Sequence, residues 1–450
     1  MDFGKGQYEA IQKIYAEHIT PHQVIEMVAA SGLCGRGGAG FPTGKKWRLL
    51  ADARGKEKYV ICNGDEGDPG AFMDRAIMEQ FPHTILEAMR IAGYAVGAKK
   101  GVIYVRAEYP VAVANLQAAI DQAHRDGNLG KDFDVTLRLG AGAFVCGEET
   151  ALLNSVMGER GEPHPRPPYP TEAGLYGQPT MINNVETLAN IPNIILHGPE
   201  HFKNTKIFAV SGAVQKSGLV EVPLGTTIKD LVYNHCGGPK PGHTIKAVQI
   251  GGPSGGCIPA RLFDTPLDYD SIKKVGAILG SGGLVVLDET TCMVDFAKFF
   301  VQFSASESCG KCTPCRVGTK KLEALLEKIT AGRGTAADID QIRALSTYIM
   351  QNSLCGLGQS SPTPVLSALQ YFGDEFAAHL RGECPAGVCF HGYHITDKCV
   401  GCGLCATKCP VHAISGTPKQ RHQIDPQICV KCGLCARICP VQAITGGNQR

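Results

Sequence analysis

Tyr59-Val-Ile-Cys62 and Gly101-Val-Ile-Tyr-Val105 are short, apolar, β-branched runs, and the segment between them, 74–97, has the apolar spacing of a helix. Runs of this kind read as buried strands, and strand–helix–strand implies a parallel sheet with crossover helices. Upstream, residues 8–30 carry apolar positions three and four apart and read as helical, until the glycine-rich segment 32–44 ends the pattern. Downstream, Glu162-Pro-His-Pro-Arg-Pro-Pro-Tyr-Pro170 holds too much proline for a helix and reads as an extended surface loop. Residues 1–204 are therefore expected to form an α/β domain with helices at its N-terminal end.

Beyond it the texture changes. Ile207-Phe-Ala-Val210, Val220-Glu-Val222 and Ala247-Val-Gln-Ile250 read as short strands around one helix at 227–236, a β-grasp-like pattern over 205–290. Helical patterns at 294–304, 319–331, 337–352 and 364–380 predict a small bundle over 291–382. A linker at 383–397 leads to a last module, 398–450, in which Cys399 to Pro410 recurs as Cys429 to Pro440.

At 450 residues the chain is too long for one core, and several domains are expected. Apolar residues at 44% and charged ones at 19% exclude wholesale disorder. A formal charge of +2 gives no footprint for nucleic acid or an anionic membrane, and no apolar run approaches the ~20 residues a membrane-spanning helix needs. The start, Met1-Asp-Phe-Gly-Lys5, lacks the apolar core of a secretory signal, so a cytoplasmic protein is expected. Twenty cysteines are many for such a chain, with 6 in the first 300 residues and 14 in the last 150. Thiols stay reduced in the cytosol, and tight Cys-x-x-Cys groups there hold metal more often than they form disulfides.

The repeat is the clearest case. In Cys399-x2-Cys402-x2-Cys405-x3-Cys409-Pro410 and Cys429-x2-Cys432-x2-Cys435-x3-Cys439-Pro440, three thiolates wrap one [4Fe–4S] cluster and the fourth ligates the other. One centre is thus assigned Cys399, Cys402, Cys405 and Cys439, and the second Cys429, Cys432, Cys435 and Cys409. The third Cys-x2 step and the Cys-Pro ending disfavour zinc knuckles. A third cluster is expected on Cys309-x2-Cys312-x2-Cys315, with Cys355 as fourth ligand; a Cys₄ structural zinc is the alternative. His379-x4-Cys384-x4-Cys389 suits a zinc ion completed by Cys292, with His391 and His394 as rival donors and free thiols as the plain alternative. The isolated thiols Cys34, Cys62, Cys146, Cys236 and Cys257 read as ordinary buried cysteines.

The segment Gly32-Leu-Cys-Gly-Arg-Gly-Gly-Ala-Gly-Phe-Pro-Thr-Gly-Lys-Lys-Trp47 suits a phosphate-bearing cofactor: glycines let backbone amides approach an anion, and Arg36, Lys45 and Lys46 add charge. It matches neither a Walker loop nor the Rossmann fingerprint, and a mobile glycine loop is the alternative. Five motifs then occur in order: Gly35-Arg-Gly-Gly-Ala-Gly-Phe-Pro-Thr-Gly44, Cys62-Asn-Gly-Asp-Glu-Gly67, Gly140-Ala-Gly-Ala-Phe-Val-Cys-Gly-Glu-Glu-Thr150, Asn183-Asn-Val-Glu-Thr-Leu-Ala189 and Glu307-Ser-Cys-Gly-Lys-Cys-Thr-Pro-Cys315. Together they resemble the NADH-binding flavoprotein subunit of respiratory complex I and its relatives, soluble NAD(P)-linked hydrogenases and formate dehydrogenases among them. The resemblance spans roughly residues 20–380.

The resemblance implies FMN, an SLBB-type β-grasp domain and a cluster-bearing bundle. It places Gly35, Arg36, Gly37 and Lys46 at the FMN phosphate and ribityl chain. Asn63, Asp65, Glu66, Gly147, Asn183 and Asn184 would line the rest of the flavin site. Phe41, Glu148, Glu149, Arg166 and Tyr169, with Asp68, would shape the nicotinamide–adenine pocket, Phe41 and Tyr169 by stacking. Glu66, Glu148 and Glu149 are the expected tuning carboxylates. Arg166 stands where the family usually has lysine, and a guanidinium grips a 2′-phosphate well; NADH is favoured by the family and NADPH stays open. Such a subunit takes a hydride from NAD(P)H and passes single electrons to clusters. The ferredoxin-like tail, which the respiratory version normally lacks, points toward hydrogenase, formate dehydrogenase or transhydrogenase assemblies, including electron-bifurcating ones. Expected partners are a thioredoxin-like [2Fe–2S] subunit, an iron–sulfur-rich catalytic subunit such as a hydrogenase, and ferredoxin. The rival class is a wiring or scaffold subunit whose flavin site has decayed.

Overall fold

A computed structural model describes residues 3–4, 6–38, 40–389, 392–426, 428–430 and 432–446. Its first sheet contains β1 (Tyr59–Gly64), β2 (Lys100–Arg106), β3 (Asp134–Gly140) and β4 (Thr180–Asn184) in the order β3-β2-β1-β4, every pairing parallel. β1 and β2 coincide with the two apolar runs. β3 is not legible in the sequence because Asp-Val-Thr-Leu-Arg-Leu-Gly is an edge strand, largely polar and exposed. Because the strands run the same way, their C-terminal ends share one edge; Asn184 ends β4 there, and Asp65, Asp68, Gly147 and Glu148 follow the ends of β1 and β3, where open α/β sheets bind ligands.

Two helical expectations are corrected by local chemistry. Residues 8–30 form two helices, Glu9–Ala16 and Pro21–Ala30, because Thr20 and Gln23 build a capping box ahead of Pro21. The pattern at 74–97 likewise divides into Met73–Gln80 and Pro82–Val96, since Pro82 lacks the amide to continue the first helix. Their apolar faces meet in a core that includes Ile11, Val24, Trp47, Ile77, Ile85 and Met89.

The second sheet holds β5 (Thr205–Gly212), β6 (Gly218–Pro223), β7 (Ile245–Ile250), β8 (Gly256–Pro259) and β9 (Gly283–Asp288) in the order β6-β5-β9-β7-β8. Only β5–β9 is parallel, as a β-grasp requires. β8, four residues from Gly256 to Pro259, is too short to be read from the sequence, whereas β9 carries the apolar β-branched run Leu284-Val-Val-Leu287 and is an addition to the strands expected above. The expected helix at 227–236 shrinks to a wide turn, Asp230–His235, closed by Cys236 N–H on the Leu231 carbonyl.

The bundle comprises Met293–Ser306, Thr313–Thr330, Ala336–Asn352, Gly356–Ser360, Thr363–Tyr371 and Gly373–Leu380. The expected helix at 364–380 is thus two, broken at Phe372, whose φ of −133° lies outside the helical region. The last module has helices Leu404–Lys408 and Leu434–Ile438 and two short antiparallel strand pairs, His394–Ile395 with Ile444–Thr445 and Ile414–Ser415 with Gln423–Ile424, and its core is little more than Ile395, Ile414, Ala443, Ile444 and cysteines. So small a core needs an inorganic staple. Among the described residues no helix is long and apolar enough to cross a membrane.

Candidate active site and metal centres

A cavity of about 540 Å³ opens at the C-terminal edge of the first sheet, lined by Gly37, Gly38, Asn63, Asp65, Glu66, Asp68, Gly147, Glu148 and Asn184 and, from other domains, by Gly280, Ser281, Met350 and Leu357. The polar residues are held by their own local structure. Asn63 donates from Nδ2 to the Gly147 carbonyl and accepts the Asp65 amide. Asn184 caps the helix Val185–Ala189 and donates to Asp74 at 2.6 Å. Asn183 does not reach the cavity; its Oδ1 accepts the Trp47 indole N–H. A Cβ at Gly37 would come within 2.9 Å of Asn184, so only glycine allows that backbone so close.

Two cations expected beside a phosphate are placed behind the wall. The fully buried Arg36 turns its guanidinium to Asn204 Oδ1 (2.8 Å) and the Thr205 carbonyl (2.9 Å), toward the second domain. Lys46 donates to the Ile182 carbonyl at 3.0 Å, and burial pulls its ammonium pKa down. Gly35 is tied through its carbonyl to Tyr269.

The carboxylates have structural duties that the sequence does not reveal. Glu66 accepts the amides of Asp74 and Arg75 at 3.0 Å, at the start of the helix Met73–Gln80. Glu148 accepts those of Thr150 and Ala151 and so caps Glu149–Val156. Burial pushes Asp65 and Glu66 up to about 7 and Asp68 up to about 6, the last opposed by a bond from Ser281 Oγ. Asp65 Oδ2 is buried with no hydrogen-bond partner among the described residues.

Beside this cavity a second hollow of about 470 Å³ is lined by Glu148, His164, Arg166, Tyr169 and Cys355. Glu149 joins it through an ion pair with Arg166 at 2.5 Å. Tyr169 lines this hollow and is 52% exposed, while Phe41, 43% exposed, lines neither hollow and has the Lys45 and Lys46 ammoniums 5.8 Å from its ring centroid.

Cys309, Cys312, Cys315 and Cys355 surround one small enclosed void, and Val145 and Leu357 wall both this void and the large cavity. Glu307 links the two structurally, accepting the Phe144 amide at 2.9 Å. In the last module one void is lined by Cys399, Cys402, Cys405 and Cys439, and another by Cys409, Cys429, Cys432 and Cys435.

Cys292, His379, Cys384 and Cys389 converge, their ligand atoms all within 4.8 Å of one another. Cys292 Sγ lies 3.4 Å from both His379 Nε2 and Cys389 Sγ. His379 Nδ1 is 2.7 Å from the Glu375 carbonyl, which leaves Nε2 facing the sulfurs. His394 pairs elsewhere, with Thr445, and His391 lies outside the described residues. The sequence motifs also miss the cavity lining from 251–281, for which Gly251-Gly-Pro-Ser-Gly-Gly256 and Gly280-Ser-Gly-Gly283 are the available signal.

A backbone cradle at Gly37, a cavity of flavin size and the orphaned Asp65 oxygen fit a flavin mononucleotide, and the convergent thiols fit clusters. The fold and site define an FMN-dependent NAD(P)H oxidoreductase subunit with iron–sulfur centres. Residues 28–193 match the Nuo51 FMN-binding domain, 207–258 the SLBB domain, 295–379 the NADH-ubiquinone oxidoreductase-F iron-sulfur binding region, and 394–445 a 4Fe-4S dicluster domain. The chain belongs to the family of NADH-binding FMN and iron–sulfur subunits of complex I and its relatives. It is 50% identical over 434 residues to the NADP-reducing hydrogenase subunit HndC of Solidesulfovibrio fructosivorans, covering 92% of this chain and 88% of that one. It is 44% identical over 396 residues to the NADH-quinone oxidoreductase F 2 subunit of Rhizobium meliloti, covering 84% and 94%. A crystal structure of an NAD+-reducing [NiFe]-hydrogenase in the H2-reduced state is similar with a TM-score of 0.76 and 37% identity, over 81% of this chain; the match takes in 63% of that longer chain.

Proposed function

We propose that the large cavity holds FMN, the adjoining hollow NAD(P)H, and the thiol sets three [4Fe–4S] clusters and a zinc ion. The observation that carries this reading is the shared wall: Val145 and Leu357 border both the large cavity and the Cys309–Cys312–Cys315–Cys355 void. A flavin bound there exchanges a hydride with NAD(P)H and single electrons with a cluster. The chain's own residues bind and orient. Asn63, Asn184 and the Gly37 and Gly147 backbones position the cofactor. Neutral Asp65 or Glu66 can donate a hydrogen bond to it near neutral pH. Phe41 and Tyr169 offer faces for stacking, and Arg166 with Glu149 sets the charge where the nucleotide's ribose or 2′-phosphate would lie.

Zinc fits Cys292, His379, Cys384 and Cys389 as a closed Cys₃His set of the structural kind. It would pin the start of the tail to the bundle. The ferredoxin-like module and the likeness to hydrogenase subunits support a place in a soluble multi-subunit complex. There it would work with a [2Fe–2S] subunit, an iron–sulfur catalytic subunit such as a hydrogenase, and ferredoxin. Cofactor analysis tests the reading: one FMN, three cluster equivalents and one zinc per chain are expected. Cys355→Ser should delete one reduced-cluster EPR signal and leave flavin in place. A chain with full iron but no capacity for FMN would be the wiring subunit instead.

A further inference from the structure

Lys206 is a fully buried lysine at the start of β5, in the second domain, and it does not line the flavin cavity. Its ammonium has three protons and three partners: the Arg36 carbonyl at 3.0 Å, Glu186 Oε2 at 3.1 Å and the Ser281 carbonyl at 2.7 Å. These belong to three different segments. Arg36 precedes Gly37 and Gly38, Glu186 follows Asn184, and Ser281 follows Gly280; all of those neighbours, and Ser281 itself, line the cavity. The second domain adds a further hold on the glycine loop, because Tyr269 donates to the Gly35 carbonyl at 2.8 Å and its ring blocks the space beside Gly40. Glu186 is in turn fixed by the Ile207 amide at 2.9 Å.

The geometry points to Lys206 as a positioning residue for the flavin, one ammonium through which the β-grasp domain sets the spacing of three cavity walls. The inference rests on FMN occupying this cavity. Loss of Lys206 alone would strand the Glu186 charge in the interior, so the informative variant is Lys206→Met with Glu186→Gln. It removes both charges, while the glutamine oxygen still accepts the Ile207 amide. FMN is titrated into deflavinated full-length protein by fluorescence quenching, with iron content, Tm and the visible circular dichroism of bound flavin recorded alongside. The double variant should bind FMN at least tenfold more weakly and give an altered flavin dichroism, while keeping its iron. Lys206→Gln with Glu186→Gln, which removes both charges but offers two amide hydrogens where the ammonium serves three partners, should weaken FMN several-fold, and it decides the matter if the first double variant does not fold. Wild-type FMN affinity and dichroism in either folded variant would overturn the inference. Failure of the wild-type protein itself to bind FMN would count against the flavin reading instead.

Discussion

Glu148 shows how one side chain carries two duties. One oxygen caps the helix Glu149–Val156, and the residue borders both hollows. Glu148→Ala should cost about 1 kcal/mol through the lost cap. Glu148→Gln keeps an acceptor, so it should leave Tm and FMN content close to wild type yet lower NAD(P)H turnover several-fold; unchanged kinetics would remove the residue from the mechanism. Asp68 gives a pH prediction. Burial raises its folded pKa to about 6, so between its ordinary range and pH 6 the folded chain keeps a proton that the unfolded chain has released. That contribution to stability is complete below the ordinary carboxylate range and is lost as pH rises through about 6; Asp65 and Glu66 extend the loss to about 7. The Tm of deflavinated protein should therefore fall between about pH 4 and about pH 7, with Asp68→Asn flattening part of the fall. A Tm that rose over the same interval would contradict this account of the buried acids.

Elements divide by how locally they are specified. β1, β2, β5 and β7 are apolar enough to be read from a few residues, and each cysteine group declares itself by spacing alone. β3, β4 and β8 are hidden because they are short or half polar, and their partners rather than their composition make them strands; β9, with Leu284-Val-Val-Leu287, carries the same apolar signal as β1 and β2 yet is not among the strands expected from the sequence. The broken helices at Pro21, Pro82 and Phe372 show capping chemistry and proline overriding apolar periodicity. In the site, motif residues are legible, but their orientation is not: no local signal says that Arg36 faces Asn204 or that Glu66 caps a helix. The Cys₃His set illustrates the same limit, since Cys292 lies 87 positions from His379 and only the fold joins them. Removing zinc with a strong chelator should make the 384–396 segment sensitive to protease while flavin content stays constant. Equal protease resistance before and after chelation would refute a structural ion there.

At the scale of the molecule, the proposed cofactors would put a two-electron site beside a one-electron site and a pair of further one-electron sites on the tail. The α/β sheet edge supplies the floor of the flavin cavity, the β-grasp domain braces it, and the bundle brings a thiol set to its far wall. Val145 and Leu357 are the thin apolar partition between the two. Electron flow across that partition is the central claim, and anaerobic stopped-flow reduction of FMN-loaded, cluster-loaded protein tests it most directly. NADH and NADPH are mixed separately while the flavin and cluster absorbances are followed. Flavin bleaching first and clusters after it, with one nucleotide preferred, is the predicted result; clusters that bleach while the flavin stays oxidised throughout, or a flavin that bleaches and never passes electrons to the clusters, would contradict it.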